Sequence, residues 1–375
     1  RGGVLSGSGA VTKTGGGTLT WSGTNTRTGA TTINDGGLSV GLLANGGSSS
    51  NRGAAALAAT NLVINGGTLR YTGPAVSHNR LFSVGVNGAT VEASGTGALT
   101  FNSTTALTVS GTGNRTLTLT GTNTDGNMLT SPIPNPSSGT TSVLKNGGGS
   151  WVLSGASTFT GNATVEAGTL SVTGSLAAGG TVTVNDTGVL AGTGTINKAI
   201  TLNSGGLIAP AGAATGTLTG ASLTWNGGGS LAFNLGASSD RLTLGGALTK
   251  GTAGTYAFAF TGSPVIGSVI TLASFGSTTF SATDFSYSGL TGLGGTFSIS
   301  AGTLRFTVTA APDAAFNAWA ASLPAGQRGP ADDPDGDGLP NLLEFVLGLD
   351  GGSVNAESST VSVVTDGGVD YPAIT

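Results

Sequence analysis

Lys145–Val172, KNGGGSWVLSGASTFTGNATVEAGTLSV, repeats Lys13–Val40, KTGGGTLTWSGTNTRTGATTINDGGLSV, without a gap. Half of the paired positions are identical, including the GGG tract and the closing Leu-Ser-Val. A self-similar unit of about 20–50 residues is typical of a solenoid or another repeat array. Inside the unit, runs such as TLTW at residues 18–21 alternate hydroxyl and apolar residues with the period of a β-strand. Glycine clusters mark the turns, so the unit predicts strand, turn, strand and turn, with no room for a helix.

Short strands with a common ending recur from the start of the chain to about residue 219. The ending reads as an apolar residue, a polar residue, a small residue, Gly and then Leu, and its copies are Ile33–Leu38, Ile64–Leu69, Val165–Leu170 and Leu202–Leu207. Glycine is needed because a tight corner demands a positive φ, which is costly for a residue with a Cβ atom. The inward Leu, Ile and Val side chains of successive coils would stack into one core. The pattern predicts a β-solenoid over residues 1–221.

The composition excludes several classes of function. Of 375 residues, 8% are charged, and the formal net charge is −4. A nucleic-acid-binding domain is expected to carry a basic stripe, so we expect no nucleic-acid partner. No apolar run approaches the roughly 18–20 residues that cross a bilayer, and the absence of Cys excludes a disulfide scaffold and thiol chemistry. The chain begins at Arg1 without a charged and then apolar leader, so we expect that a signal peptide has been removed or that the sequence is a fragment.

The repeated unit resembles the autotransporter-associated β-strand repeat of large secreted bacterial proteins. Two full copies and a partial third copy, TLTLTGTNT at residues 116–124, carry the resemblance, and residues 202–246 resemble the region that usually follows these repeats. The resemblance covers roughly the first two thirds of the chain. It implies a right-handed parallel β-helix that is exported to the cell surface or beyond.

Two later segments depart from the repeat. Residues 125–141 contain three prolines in SPIPNPSSG and predict a surface loop that leaves the solenoid, because proline cannot donate to a ladder. Residues 222–310 carry more aromatic strands, such as YAFAF at 256–260. They favour either wider final coils or a small antiparallel β-sandwich, and either would form a β-rich cap on the solenoid.

The C-terminal part predicts a small helical module. Residues 311–350 contain a helix at 313–322, a loop with an acidic motif and a second short helix at 339–347. Residues 351–375 return to β texture and predict the start of a further β segment.

The acidic motif, DPDGDGLPNLLE at residues 333–344, fits the calcium loop D-x-D-x-D-G-x-x-N-x-x-E. Ca²⁺ takes about six to eight oxygen ligands at roughly 2.3–2.6 Å. The predicted ligands are the carboxylates of Asp333, Asp335, Asp337 and Glu344, the backbone carbonyl of Leu339, and Asn341 directly or through water. Without a cation, three carboxylates within five residues repel one another, and we expect the loop to be loose.

The same segment resembles dockerin-like and thrombospondin type 3-like calcium loops of secreted bacterial surface proteins. Pro340 departs from the branched apolar residue that is usual in a paired EF-hand, and one loop is present. The resemblance therefore favours a permanently filled structural Ca²⁺ site over a sensor. An acidic solvated turn is the alternative.

Other candidate residues predict less specific roles. His78 could belong to a Ser-His-Asp arrangement, but no G-x-S-x-G elbow accompanies it, and a polar loop histidine is favoured. Trp21 and Trp151 hold near-equivalent positions, where they could pack in the core or, if exposed, stack on sugar rings. Glu92 and Glu166 occupy a position where other coils place Asn, which indicates turn residues.

The predicted function is that of a non-enzymatic, extracellular structural or adhesive protein of the bacterial surface. Such a solenoid could self-associate end to end into filaments or a surface layer, or bind surface glycans. A carbohydrate-cleaving β-helix is a second hypothesis, but it needs two carboxylates about 5–10 Å apart, and the acids of the solenoid lie on different coils. A stalk or passenger for another domain is a third.

Overall fold

The computed structural model describes residues 3–354, 361–366 and 369–374. Its contacts divide the chain into two compact units, Arg1–Leu290 with Phe297–Thr307, and Thr291–Thr296 with Val308–Thr375. The described residues form 35 strands, two α-helices and two short 3₁₀ helices.

Most strands have two to six residues, and the bounds follow in chain order. Strands β1 to β12 are Val11–Lys13, Thr18–Trp21, Thr31–Ile33, Gly37–Val40, Leu62–Ile64, Thr68–Tyr71, Val76–His78, Ser83–Val84, Ala89–Ala93, Leu99–Phe101, Thr108–Val109 and Arg115–Thr120. Strands β13 to β24 are Asn127–Leu129, Thr141–Lys145, Ser150–Leu153, Ala156–Ser157, Ala163–Val165, Gly168–Val172, Ser175–Leu176, Thr181–Val184, Gly188–Gly192, Thr195–Leu202, Leu207–Pro210 and Thr217–Trp225. Strands β25 to β35 are Ser230–Leu235, Arg241–Leu244, Ala247–Lys250, Tyr256–Gly262, Val269–Ser274, Ser277–Thr278, Phe285–Ser288, Leu293–Ser300, Thr303–Ala310, Val361–Asp366 and Val369–Ile374. The helices are α1, Pro312–Ala320, and α2, Asn341–Leu347, with 3₁₀ turns at Ala59–Asn61 and Ala282–Asp284.

The first unit is a parallel β-helix, as the sequence predicts. One sheet joins β1, β3, β5, β8 and β11, and a ten-stranded sheet runs from β7 to β31. A third ladder runs from β2 through β4, β6, β9, β12, β14, β17, β20, β22, β24 and β27 to β30. All these pairs are parallel, so each strand lies directly above its counterpart in the previous coil. The right-handed sense of the coil stays a prediction.

The coils differ in length while their ladders keep register. Thr183 pairs with Thr201, whereas Gly37 pairs with Thr68, so one turn of the solenoid takes between 18 and 31 residues. The difference is absorbed in the corners, because loop length changes the closure entropy only slowly. Long strands β22 and β24 run across a corner and join two ladders, with a register shift in their pairing between Ile196 and Ala199.

The core is a set of stacked aliphatic columns. Leu38, Leu69, Val91 and Leu119 follow one another up the third ladder, and each is at most 1% exposed. Burying each such side chain contributes about 1.5–3 kcal/mol. Because every residue in a column needs the coils above and below it, stability belongs to the stack and not to one repeat.

The aromatic region continues the coil. β25, β28 and β31 pair in parallel with the strands before them, and larger side chains fill this part of the core: Trp225 lies 5.5 Å from Phe258 between ring centroids. At its end β33 runs antiparallel to β29. The region therefore combines wider coils with one closing antiparallel strand. β24 runs across residue 221, and the domain limits drawn from the sequence stay predictions.

The prediction that residues 125–141 leave the solenoid is wrong. Asn127–Leu129 forms β13, which pairs with β10 and β15 inside the ten-stranded sheet. Ile133 is fully buried, and its N–H donates to Ser157 Oγ at 3.1 Å. The prolines occupy the corner after β13, where no ladder donor is needed, so they do not expel the segment.

The second unit contains the predicted helical module. α1 packs Phe316 and Ala320 against Leu323, and Trp319 and Phe345 cover this cluster. α2 ends at Leu347, and the next residue, Gly348, forms a left-handed cap with a φ of 70°. Strands β34 and β35 pair antiparallel in the β segment expected after residue 350, while residues 355–360 lie outside the described residues.

Candidate metal centre and buried cations

The acidic loop lies between α1 and α2 and gathers three of the predicted ligands. Oxygens of Asp333, Asp335 and Asp337 lie within 4.8 Å of one another. The Asp333 carboxylate accepts hydrogen bonds from the N–H groups of Gly336 and Gly338, both at 2.9 Å. These two glycines have φ values of 76° and 92°, a backbone conformation that lets the loop fold around its own carboxylates.

Two oxygens at this loop are buried without a partner among the described residues, Oδ2 of Asp335 and Oδ1 of Asn341. The amide nitrogen of Asn341 donates to the carbonyls of Gln327 and Gly329, each at 2.9 Å, which fixes the orientation of the amide. Loss of water raises the pKa of Asp335, and the neighbouring Asp337 and Asp333 raise it further, whereas a hydrogen bond from the Asp337 N–H lowers it. A buried oxygen without a hydrogen-bond donor destabilises the folded state, and a bound cation would remove this penalty. The donor set therefore fits a hard cation.

The other predicted ligands are placed less directly. The N–H of Leu339 donates to Asp337 Oδ1 at 2.8 Å, and Asn341 begins α2. Glu344 lies fully buried in the first turn of α2. It is not one of the acids within 4.8 Å of one another in the part of the chain that the structure describes. The Ca²⁺ site therefore stays a prediction.

The tryptophans do not form a sugar-stacking surface. Trp21 is 3% exposed and Trp151 is fully buried. The indole N–H of Trp151 donates to the carbonyl of Thr120 at 2.9 Å, and the Arg27 guanidinium lies 5.7 Å from the Trp21 ring centroid. Of the two alternatives, both residues therefore follow the first and pack in the core.

His78 is not a loop residue. It ends β7, is 1% exposed and packs edge-on against Phe101 at 4.6 Å between ring centroids. Burial lowers its pKa to about 3, with smaller contributions from the charges of Arg80 and Arg52. A catalytic triad orients its histidine with a carboxylate, whereas the groups that shift this pKa are cations, so the arrangement is unlike a triad.

Glu92 is not a turn residue, contrary to the sequence interpretation. It lies in β9, and its Oε2 accepts a hydrogen bond from Arg70 Nε of β6 at 2.8 Å. Glu166 does follow strand β17 directly.

Buried lysines close three corners of the solenoid, and the sequence interpretation missed them. The Nζ atom of Lys145 donates to the carbonyls of Asn146, Gly147 and Ala167 at 2.9, 2.6 and 2.7 Å. Lys13 donates in the same manner to three carbonyls that follow it, and Lys198 donates to three carbonyls of the coils before it. Burial lowers the pKa of Lys145 to about 8. Since Lys13 and Lys145 begin the two sequence copies, the repeat encodes its own corner clamp.

Two segments match a known family. Residues 11–40 and 143–172 match the model of the passenger-associated-transport-repeat. The chain is also similar to the adhesin BmaC autotransporter of Brucella suis biovar 1 (strain 1330), at 38% identity over 182 residues. That alignment covers 47% of this chain and 5% of the length of the adhesin. None of the described helices is long and apolar enough to span a membrane.

The two segments that match this family model lie on different faces of the solenoid. In the first, β2 and β4 belong to the third ladder, whereas the equivalent strands of the second, β15 and β18, belong to the ten-stranded sheet. The repeat therefore specifies a strand, a corner and a second strand. It does not specify which sheet of the solenoid these strands join.

Proposed function

We propose that this chain is part of the exported, surface-exposed passenger of an autotransporter-type protein and that its role there is adhesive or structural, not enzymatic. The observation that carries the proposal is the match of two repeats to a passenger family, set in parallel ladders that continue without a break through the coils. A passenger of this kind presents a long surface that is solvated mainly by uncharged polar side chains, which agrees with the 8% of charged residues.

The proposal predicts export. Residues 1–375 fused to an autotransporter translocator should reach the surface of a laboratory bacterium and become accessible to externally added protease. Intracellular retention of a folded chain, with a known passenger exported in parallel, would contradict it.

The finer part of the proposal is a structural Ca²⁺ site in the helical module. Asp333, Asp335 and Asp337 would supply carboxylate oxygens, and Leu339, Asn341 and Glu344 would complete the set. The clustered carboxylates and the two orphaned oxygens of Asp335 and Asn341 support this assignment. The bound ion would neutralise the loop and hold it against the start of α2.

End-to-end self-association into filaments or a surface layer is a further part of the proposal. The low share of charged residues, 8%, would not oppose contact between neighbouring solenoids, and a contact that does not close by symmetry continues into a fibre. The antiparallel pairing of β33 with β29 restricts stacking through β29. Negative-stain imaging with millimolar Ca²⁺ and with a chelator tests this: regular fibres support it, and discrete rods in both conditions contradict it.

A further inference from the structure

A column of outward threonines on the third ladder is interrupted at one position. Thr68, Thr90 and Thr118 stand in register on β6, β9 and β12. Thr18 continues the column at the other end, but Gly37 lies between Thr18 and Thr68. The missing side chain leaves a gap one strand wide in an otherwise continuous row of hydroxyls.

The gap opens into a polar cleft of about 280 Å³. Its floor includes Gly37 and the corner glycine Gly36, and its walls include Thr18, Thr68 and the pair Arg70 and Glu92. These residues come from four successive coils, on β2, β4, β6 and β9, so the cleft exists only where the coils are stacked.

The charged pair is held in a defined orientation. Glu92 Oε2 accepts from Arg70 Nε at 2.8 Å, and Glu92 Oε1 accepts from Ser94 Oγ at 2.9 Å. The terminal nitrogens Nη1 and Nη2 of Arg70 have no partner in the described part of the chain, and its side chain is 45% exposed. The cleft therefore offers guanidinium donors beside a carboxylate acceptor, with hydroxyls on both sides.

The second repeat provides an internal comparison. The positions equivalent to Thr18, Gly37, Thr68 and Thr90 are Ser150, Thr169, Val189 and Leu207, as the sequence alignment of the two copies and their ladder registers show. The positions equivalent to Arg70 and Glu92 are Ala191 and Ala209. The gap at Gly37 lies in the first repeat, and the charged pair lies on the two ladder strands that follow it; the fold requires neither, because the second set of strands lacks both.

The backbone conformation at position 37 does not require glycine either. Its neighbour Gly36 has a φ of 60° and a Cβ there would lie 2.4 Å from the carbonyl oxygen of Gly17, so that position needs glycine. At Gly37 φ is not positive, and a Cβ would meet the Thr18 hydroxyl at 3.2 Å. Because the second repeat places Thr169 at this position, glycine at 37 keeps the cleft open.

We propose that this cleft is a binding site for a neutral oligosaccharide, an inference that rests on the adhesive role proposed above. A sugar hydroxyl both donates and accepts, so it matches Arg70 and Glu92 together. The pair carries no net charge, which disfavours sulfated or sialylated ligands, and the small lining residues suit a pyranose edge without ring stacking.

The test compares binding of purified chain and variants to an array of neutral, sulfated and sialylated oligosaccharides, followed by saturation-transfer NMR with the strongest neutral ligand. Gly37→Thr fills the gap with the residue of the second repeat, and Arg70→Gln removes the charge. Arg70→Gln should weaken binding about tenfold or more, the amount that loss of a hydrogen bond to a charged group predicts, and Gly37→Thr should weaken it by at least as much because its side chain occupies the space of the ligand. Thr169→Gly opens the equivalent gap without the pair and should leave binding unchanged. Matching circular dichroism and melting curves identify the variants that keep the fold.

Binding confined to charged glycans, unchanged binding in both cleft variants, or no binding to the array would overturn the inference. Adhesion of bacteria that display the chain distinguishes this from failure of the proposed function: adhesion that persists in Gly37→Thr leaves the adhesive role standing and removes the cleft from it. Absence of adhesion by the displayed parent chain removes the adhesive role itself.

Discussion

Lys13 and Lys145 make the same three contacts, each from its Nζ atom to the carbonyls one, two and 22 residues further along the chain. The two side chains are 9% and 0% exposed. The first two carbonyls belong to the glycine corner that follows, and the third belongs to the corresponding corner of the next coil. An ammonium group has three donors and can satisfy all three oxygens, so one residue ties two coils together.

This clamp predicts a large loss of stability for Lys145→Met, which keeps the length of the side chain but leaves three carbonyls without their donor. We expect the free energy of unfolding to fall by about 3 kcal/mol, the cost of losing buried hydrogen bonds to a charged group. The measurement is chemical denaturation followed by circular dichroism. Lys250→Met is the control, because Lys250 is 37% exposed in its pair with Asp284 and should change stability by less than about 1 kcal/mol. Equal effects of the two variants would contradict the clamp.

The corner glycines Gly36 and Gly168 are equivalent and equally confined. Their φ values are 60° and 65°, and in each case a Cβ would lie 2.4 Å from a backbone carbonyl oxygen of the previous coil. Gly168→Ala should therefore destabilise the protein by at least about 2 kcal/mol, since strain and overlap add. The matched variant Gly148→Ala, with no atom within 4 Å of the added Cβ, should cost much less. Similar melting temperatures for the two variants would show that the corner can relax.

His78 is the one histidine of the chain, so its imidazole resonance is unambiguous. Burial lowers its pKa to about 3, and the cations Arg80 and Arg52 add to the shift. Because this folded-state pKa lies below the ordinary value of 6.5, the unfolded chain binds the proton first. Stability from this group is therefore present above pH 6.5 and is lost as the pH falls toward 3. A titration by NMR should show no shift of the resonance above about pH 4, and a midpoint near 6.5 would contradict the buried placement.

Calcium should stabilise the helical module. At a concentration 100 times the dissociation constant, binding adds about 2.7 kcal/mol to the free energy of unfolding, so a chelator should lower the melting temperature. Asp335→Asn should abolish the heat of Ca²⁺ binding in calorimetry. Asp350→Asn, after α2 and outside the predicted loop, is the control and should bind normally. Equal Ca²⁺ binding by both variants, or no heat of Ca²⁺ binding with the parent chain, would contradict the predicted site.

The sequence was sufficient for the architecture because the information is repeated. Many strands alternate inward apolar and outward hydroxyl residues, as in β12, and glycine corners recur between strands, so a local rule applied at successive coils gives the solenoid. The helices α1 and α2 were predictable from the spacing of Phe316 and Trp319 and from the glycines that follow residue 347. These features depend on neighbours in the chain.

What escaped the sequence depends on contacts between coils. Arg70 and Glu92 are 22 residues apart and meet because β6 and β9 pair in register. Nothing in the sequence around Lys145 distinguishes it from an exposed lysine, because the carbonyl of Ala167, to which it donates, belongs to the corner of the next coil. The prolines of residues 125–141 suggested an expelled loop, but the corner after β13 needs no ladder donors and accommodates them. Coil length varies between turns, so these registers could not be counted from the sequence.

The adhesive passenger role is tested most directly by counting bacteria retained under flow on cultured epithelial cells and on matrix-protein coatings. A non-adherent strain displays residues 1–375 through an autotransporter translocator, and the same strain carrying the translocator alone is the control, with surface amounts matched by antibody labelling. We predict several-fold greater retention of the bacteria that display the chain on at least one of these surfaces. Equal retention of the two strains on every surface, with the chain verified as folded and exposed, would contradict the adhesive role.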